Sequence, residues 1–154
     1  MSKVGKAYIG IDPGASGAMA IIRGRTVIVL DFEDPSALSI LKEINLIKQP
    51  CKAVIEKVAS MPGQGVSSTF KFGTNFGAWI GRLEALDIPF DFVTPQKWKK
   101  AMFDSMPRGD DVKAMSVNRA LRIYPTMADR LKRKKDHNRA EAILLAEYAR
   151  ITDK

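Results

Sequence analysis

The chain holds 154 residues, 45% of them apolar and 27% charged, which suits one folded domain with its own core and excludes a chain that stays disordered. A single cysteine, Cys51, excludes a disulfide framework and a cysteine-rich zinc site, and no apolar run approaches the roughly 20 residues of a membrane span. The 25 Lys and Arg against 17 Asp and Glu leave a net charge of +8, a surplus that points to a polyanionic partner, nucleic acid before an anionic membrane.

Read in chain order, Ala7–Asp12 is a β-prone run that stops at Pro13-Gly14. Gly17–Ile22 and Thr26–Leu30 follow across the short connection Arg23-Gly24-Arg25, so three strands in a row predict an antiparallel meander. Asp34-Pro35-Ser36 reads as a helix start, an Asp cap with Pro in the first turn, for a helix running to about Lys48 and stopped by Pro50. The next predicted strand is Cys51–Val58, and a Gly/Ser/Pro-rich loop covers Ala59–Ser67.

A long helix is expected from near Ser68, with Phe72, Phe76, Trp79, Ile80 and Leu83 at helical spacing. It also carries Gly73, Gly77 and Gly81, each four residues apart. Glycine costs about 1 kcal/mol inside a helix, so such a stripe suggests close approach of another backbone, either the protein's own sheet or a second copy of the helix. A strand at Phe90–Val93, a short helix opened by Pro95, a basic amphipathic helix over about 111–124 and a final helix over about 136–150 complete the pattern. A meander followed by alternating strands and helices predicts an α/β fold with a mixed sheet. One domain over residues 1–154 is expected. The positive charge is uneven: residues 1–94 carry 10 basic and 9 acidic side chains, residues 95–154 carry 15 and 8. The C-terminal part is therefore the candidate phosphate-binding face.

The carboxylates carry the chemical signal. Asp12 ends an apolar strand, and Glu56 sits among Val54, Ile55 and Val58, where an isolated charge is expensive. Asp136 opens the last helix and Glu141 lies inside it beside Ala140, Ala142 and Leu144. Alone, Asp136 reads as a helix cap and Glu141 as a surface residue. Together, four acids from separate segments are what a pair of hard cations needs. His137 is the only histidine, no Walker A motif occurs, and Ser67 and Ser68 lack a recognisable base, so the competing chemistries are weak.

Three blocks in order, Ile9-Gly10-Ile11-Asp12-Pro13-Gly14, Val54-Ile55-Glu56 and Lys134-Lys135-Asp136-His137-Asn138-Arg139-Ala140-Glu141-Ala142, together resemble the RuvC-type Holliday junction resolvases. The likeness runs from Ile9 to Tyr148. Pro62–Ser68 and Leu131–His137 look most like the bacteriophage and chloroplast branch. The resemblance implies an RNase H-like fold, with a mixed five-stranded sheet flanked by helices, and a homodimer that cuts four-way DNA junctions using two Mg²⁺ per active site, replaceable by Mn²⁺. It implies metal-ligating and catalytic roles for Asp12, Glu56 and Glu141. The fourth ligand departs from the bacterial pattern, because Asn138 stands three residues before the last acid. Asp136 takes the role, as in the phage and chloroplast branch, with His137 as runner-up. Five residues on a straight helix put Asp136 and Glu141 about 140° apart, so Asp136 must lie at or before the first turn.

A catalytic lysine is also implied, assigned to Lys113 on the helix after Arg108-Gly109-Asp110-Asp111, with Lys97 and Lys134 as competitors. The run Lys132-Arg133-Lys134-Lys135 is expected to hold DNA phosphates. The loop from Ala59 to Thr69 is expected to sense sequence, with Met61 or Phe70 wedging at the crossover. A related nuclease acting on another branched DNA or RNA, and a non-catalytic nucleic-acid-binding protein, are the alternatives. Met1–Lys6 lacks the apolar stretch of a secretory signal, so a cytoplasmic or other reducing compartment is expected, and the resemblance is compatible with a phage or organellar origin. No membrane partner is expected.

Overall fold

The structure, a computed structural model, describes residues 5–59, 61–104 and 111–153. Met1–Val4, Ser60 of the proposed sequence-sensing loop, and Arg108-Gly109-Asp110 ahead of Lys113 lie outside the described residues. Among those described, five strands form one sheet: β1 (Ala7–Asp12), β2 (Ala18–Arg23), β3 (Thr26–Asp31), β4 (Cys51–Glu56) and β5 (Phe90–Val93). Their order is β3-β2-β1-β4-β5. The first three make the expected antiparallel meander, and β4 and β5 add in parallel, giving a mixed sheet.

Side chains alternate along a strand, so β1 serves two cores. Ile9 and Ile11 face α1 (Pro35–Leu46) and α2 (Val66–Ala85), where Leu41, Ile44, Trp79 and Leu83 are buried. Tyr8, Gly10 and Asp12 face the other way, toward α3 (Pro95–Phe103), α4 (Val112–Ile123) and α5 (His137–Thr152). Residues 142–149 of α5 are buried all round, as a helix must be when sheet and α4 enclose it. Gly10 makes this possible: a Cβ there would lie 2.2 Å from both Ala142 O and Ala146 N. The start of α5 is clamped to β3 by Arg139, whose Nε and Nη2 each donate to Asp31 at 2.8 Å.

Several boundaries differ from the sequence reading. Strand β4 ends at Glu56, not Val58: Lys57 N makes a last bond to Val93 O, and its partner strand then turns into α3 at Pro95. Helix α2 starts at Val66, two residues early, because the turn at Gly63 (φ +82°) already delivers Gly65 to the cap position. Helix α1 ends at Leu46 because Lys48 takes a left-handed φ of 54° and Gln49 N closes back onto Ile44 O. The glycine stripe does not meet the protein's own sheet. Gly73, Gly77 and Gly81 are exposed, and a Cβ on any of them would find nothing within 4 Å among the described residues.

Candidate active site

Asp12 and Glu56 end neighbouring parallel strands. Ile11 lies opposite Ile55, so the two acids stand at the same level of the sheet, on the face that α5 covers. Strand ends of this kind, at the carboxyl edge of parallel β-structure, are the usual place for a site in an open α/β sheet. Glu141 reaches the same place from α5, on the turn just before the buried run. Burial, with the negative charges of Glu141 and Glu56, pushes the Asp12 carboxyl from 3.8 up to about 8. Burial also raises Glu56, the hydrogen bond from Trp98 pulls it back, and Glu141 raises it further.

The backbone after β1 is shaped around Asp12. Gly14 N donates to Asp12 Oδ1 at 3.1 Å, and Gly17 N closes onto Gly14 O at 2.9 Å. Gly17 has no room for a side chain, since a Cβ would sit 2.2 Å from Asp12 O. Asn75 of α2, itself buried, points its amide at Gly14 O and Ala15 O at 3.5 and 3.4 Å. The sequence signal for Asn75 was a polar residue on the stripe of Phe72, Phe76 and Trp79.

The cation among these acids is Lys99, a residue the sequence reading did not single out. Its Nζ lies 3.9 Å from Glu141 Oε1, and its charge favours the ionised forms of Asp12 and Glu56. Lys97, Lys99 and Lys100 share one short helix, and only the helix phase, with Trp98 buried, tells which lysine turns toward the acids. Lys113 lies exposed at the first turn of α4, where Asp111 caps its backbone N–H. Lys97 is exposed and lines a separate cleft with Asp91, Tyr148 and Thr152.

Asp136 has a different set of partners from the one expected. It sits in the 3₁₀ turn Lys134–Asp136, before α5, as the helix geometry required. Its carboxylate accepts from Arg133 N at 2.8 Å and Arg133 Nε at 3.0 Å, and Arg139 Nη1 lies 3.7 Å away. Against the cost of burial, these bonds and charges hold it below the ordinary carboxylate range. The acids that Asp12 feels are Glu141 and Glu56. Arg133, three residues back on a tight turn, folds over Asp136 and engages it first. His137 turns Nδ1 to Lys134 O at 3.2 Å. Asn138 lines a cleft with Asp136, Arg133, Lys135, Lys71 and the Ala15–Gly17 loop. Lys132 pairs with Asp129 at 2.8 Å on the surface, and Lys134 and Lys135 are exposed. Met61 and Phe70 are 70% and 76% exposed, large apolar groups standing in solvent at the entry to α2.

The donor chemistry of Asp12, Glu56 and Glu141 suits hard divalent cations. Among the described residues their oxygens have few partners: one backbone N–H for Asp12, one indole for Glu56, one distant ammonium for Glu141. Their mutual repulsion is what a bound cation would relieve. Among the described residues, no three His, Cys, Asp or Glu side chains form a ready-made metal cage.

The mixed five-stranded sheet with helices on both faces is an α/β fold of the RNase H-like class. Within that class the fold is RuvC-like. Thermus thermophilus RuvC superposes with a TM-score of 0.59 at 18% identity, over 94% of this chain and 96% of that one. T. thermophilus RuvC in complex with a Holliday junction substrate gives 0.58 at 16% identity, over 95% and 96%. In sequence, the chloroplastic Holliday junction resolvase MOC1 of Chlamydomonas reinhardtii is 27% identical over 95 residues, 62% of this chain. That match spans only 10% of the algal protein. No family model matches the chain. Among the described residues, no helix is long and apolar enough to cross a membrane.

Proposed function

We propose that this protein is a metal-dependent endodeoxyribonuclease that resolves four-way DNA junctions by paired, symmetric nicks. The observation that carries the reading is the meeting of Asp12, Glu56 and Glu141 with Lys99 at one end of a RuvC-like sheet. Asp12, Glu56 and Glu141 would hold two Mg²⁺, with Mn²⁺ able to replace them. Bound there, divalent ions supply Lewis acidity toward a phosphodiester and make water a stronger acid at neutral pH. Lys99 offsets charge developing on the scissile phosphate. Asp136 keeps Arg133 and Arg139 in place beside the cleft, and Arg133, Lys134, Lys135 and Lys132 hold backbone phosphates on either side. Met61 and Phe70 are exposed where a wedge between base steps is needed.

Variants of the two lysines test the site assignment. Lys99→Met should slow junction cutting by about a hundredfold, the scale for loss of one transition-state donor, and leave junction affinity within a few-fold. Lys113→Met should change cutting much less. The reverse ranking would return the role to Lys113.

Two copies related by a two-fold axis present two sites to two equivalent strands of a junction. The exposed, unobstructed glycine stripe of α2 supports a homodimer through that helix. Gly77→Leu should therefore sediment as a monomer at micromolar concentration, whereas a wild-type protein that is itself monomeric there would refute the seam.

A further inference from the structure

We infer that Trp98 is a positioning residue for this site, its indole N–H fixing one oxygen of Glu56 and its ring supporting Lys99. The inference rests on the metal-dependent reading above and adds the group that orients the site's carboxylate Glu56 and its cation Lys99. Trp98 is fully buried, and its Nε1 donates to Glu56 Oε2 at 2.6 Å. An indole offers one donor and no acceptor, so its direction is set by the ring alone. The ring in turn is set by α3. Thr94 caps that helix, Pro95 starts it, and the bond from Lys57 N to Val93 O anchors its entry beside the end of β4. Phe103 backs the ring at 6.0 Å between centroids.

Glu56 has flexible torsions and like-charged neighbours, and among the described residues the Trp98 indole is the one hydrogen-bond donor that holds its carboxylate toward the cluster. The same indole ring has Lys99 Nζ 5.3 Å from its centroid, which ties the cation to the acid through one rigid group. Packing alone does not demand this bond. Trp79, equally buried on the other face of the sheet, has no acceptor for its Nε1 among the described residues. A partner that orients a metal ligand typically changes metal affinity or activity by about 10–100-fold when removed.

Trp79 and Trp98 are the protein's two tryptophans, so an ¹⁵N-labelled sample gives two indole N–H signals that either Trp98→Phe or Trp79→Phe assigns. Trp98 should resonate downfield of Trp79. Glu56→Gln should move the Trp98 signal and leave Trp79 in place, and so should titration of the wild type with Mg²⁺. In Trp98→Phe, which keeps an aromatic ring, though a smaller one, and loses the donor, Mn²⁺ should bind about 10–100-fold more weakly than in the wild type. Junction affinity measured in chelator should stay within a few-fold. If Trp98→Phe does not fold, the wild-type and Glu56→Gln spectra decide alone. A Trp98 signal indifferent to both Glu56→Gln and Mg²⁺, or a folded Trp98→Phe that binds Mn²⁺ like the wild type, overturns the positioning role while leaving the metal site standing. A wild type that binds no Mn²⁺ overturns both.

Discussion

Asp12→Asn should abolish junction cutting, by about a thousandfold or more, and at the same time make the metal-free protein more stable. The first effect follows because metal charge stabilisation is worth several kcal/mol in the transition state and each 1.36 kcal/mol is tenfold in rate. The second follows from the crowding of the acids. The Asp12 carboxyl is raised from 3.8 to about 8 in the folded, metal-free chain by burial and by Glu141 and Glu56. Between those values the folded chain holds a proton that the unfolded chain releases. Wild-type stability is therefore highest, as far as this group goes, below about pH 4, and it falls as pH rises toward about 8. Asparagine cannot ionise, so the gain of the variant should be absent near pH 4, grow across that window and level off above it. Mg²⁺ should reverse the ranking at pH 8, raising the melting temperature of the wild type and not of the variant. Melting curves at pH 4, 6 and 8, with and without Mg²⁺, read all of this. A variant that cuts undiminished ends the proposed role of Asp12, and one whose stability difference does not change with pH contradicts the account of crowding.

Gly10 should be the least replaceable residue of β1. A Cβ on it would come within 2.2 Å of Ala142 O and Ala146 N and 2.8 Å of Leu145 C, all backbone atoms of α5 that cannot rotate aside. Even Gly10→Ala must push α5 off the sheet, opening the layer that holds Val54, Ile143 and Ala146. Overpacking of this kind costs about 1–3 kcal/mol when side chains can yield, and more when a backbone must move. Gly10→Ala should lower the denaturant midpoint sharply, and Gly10→Val should not fold. The displacement would also carry Glu141 away from Asp12, so any folded Gly10→Ala should bind Mn²⁺ weakly. A variant with wild-type stability would mean that α5 lies farther from β1 than the structure places it.

What the sequence makes legible here is local. The meander, the capped start of α1 and the acids at the ends of β1 and β4 follow from period-two runs, an Asp-Pro-Ser cap and charges set in apolar strands. What it hides depends on which groups meet across the fold. Asp136 is expected as the fourth ligand from the resemblance to the phage and chloroplast branch, and what the sequence hides there is that Arg133 folds back over it and Arg139 approaches from the next turn. Lys99 is one of three lysines on a nine-residue helix, and only the burial of Trp98 fixes which one faces the acids. The glycines of α2 read as a packing stripe against the sheet or a second helix, and only the fold shows that they face away from the sheet into solvent. Gly10 looks like an ordinary small residue in a strand until the depth of α5 is known.

In the proposed function, geometry rather than charge alone selects the substrate. The +8 surplus would bind any DNA, with an affinity that falls steeply as salt rises. A junction presents diverging arms that two sites in a fixed dimer can fill together, whereas a duplex would have to bend, at about 1–6 kcal/mol. A difference of a few kcal/mol is roughly a hundredfold in affinity. The measurement is strand-resolved cleavage of a four-way junction and of a linear duplex of the same sequence, in Mg²⁺ at moderate salt, with binding compared in Ca²⁺. The account predicts paired cuts at symmetric positions on two opposing junction strands, little cutting of the duplex, and junction binding tighter by about a hundredfold. Equal binding and equal cutting of the two substrates would contradict it.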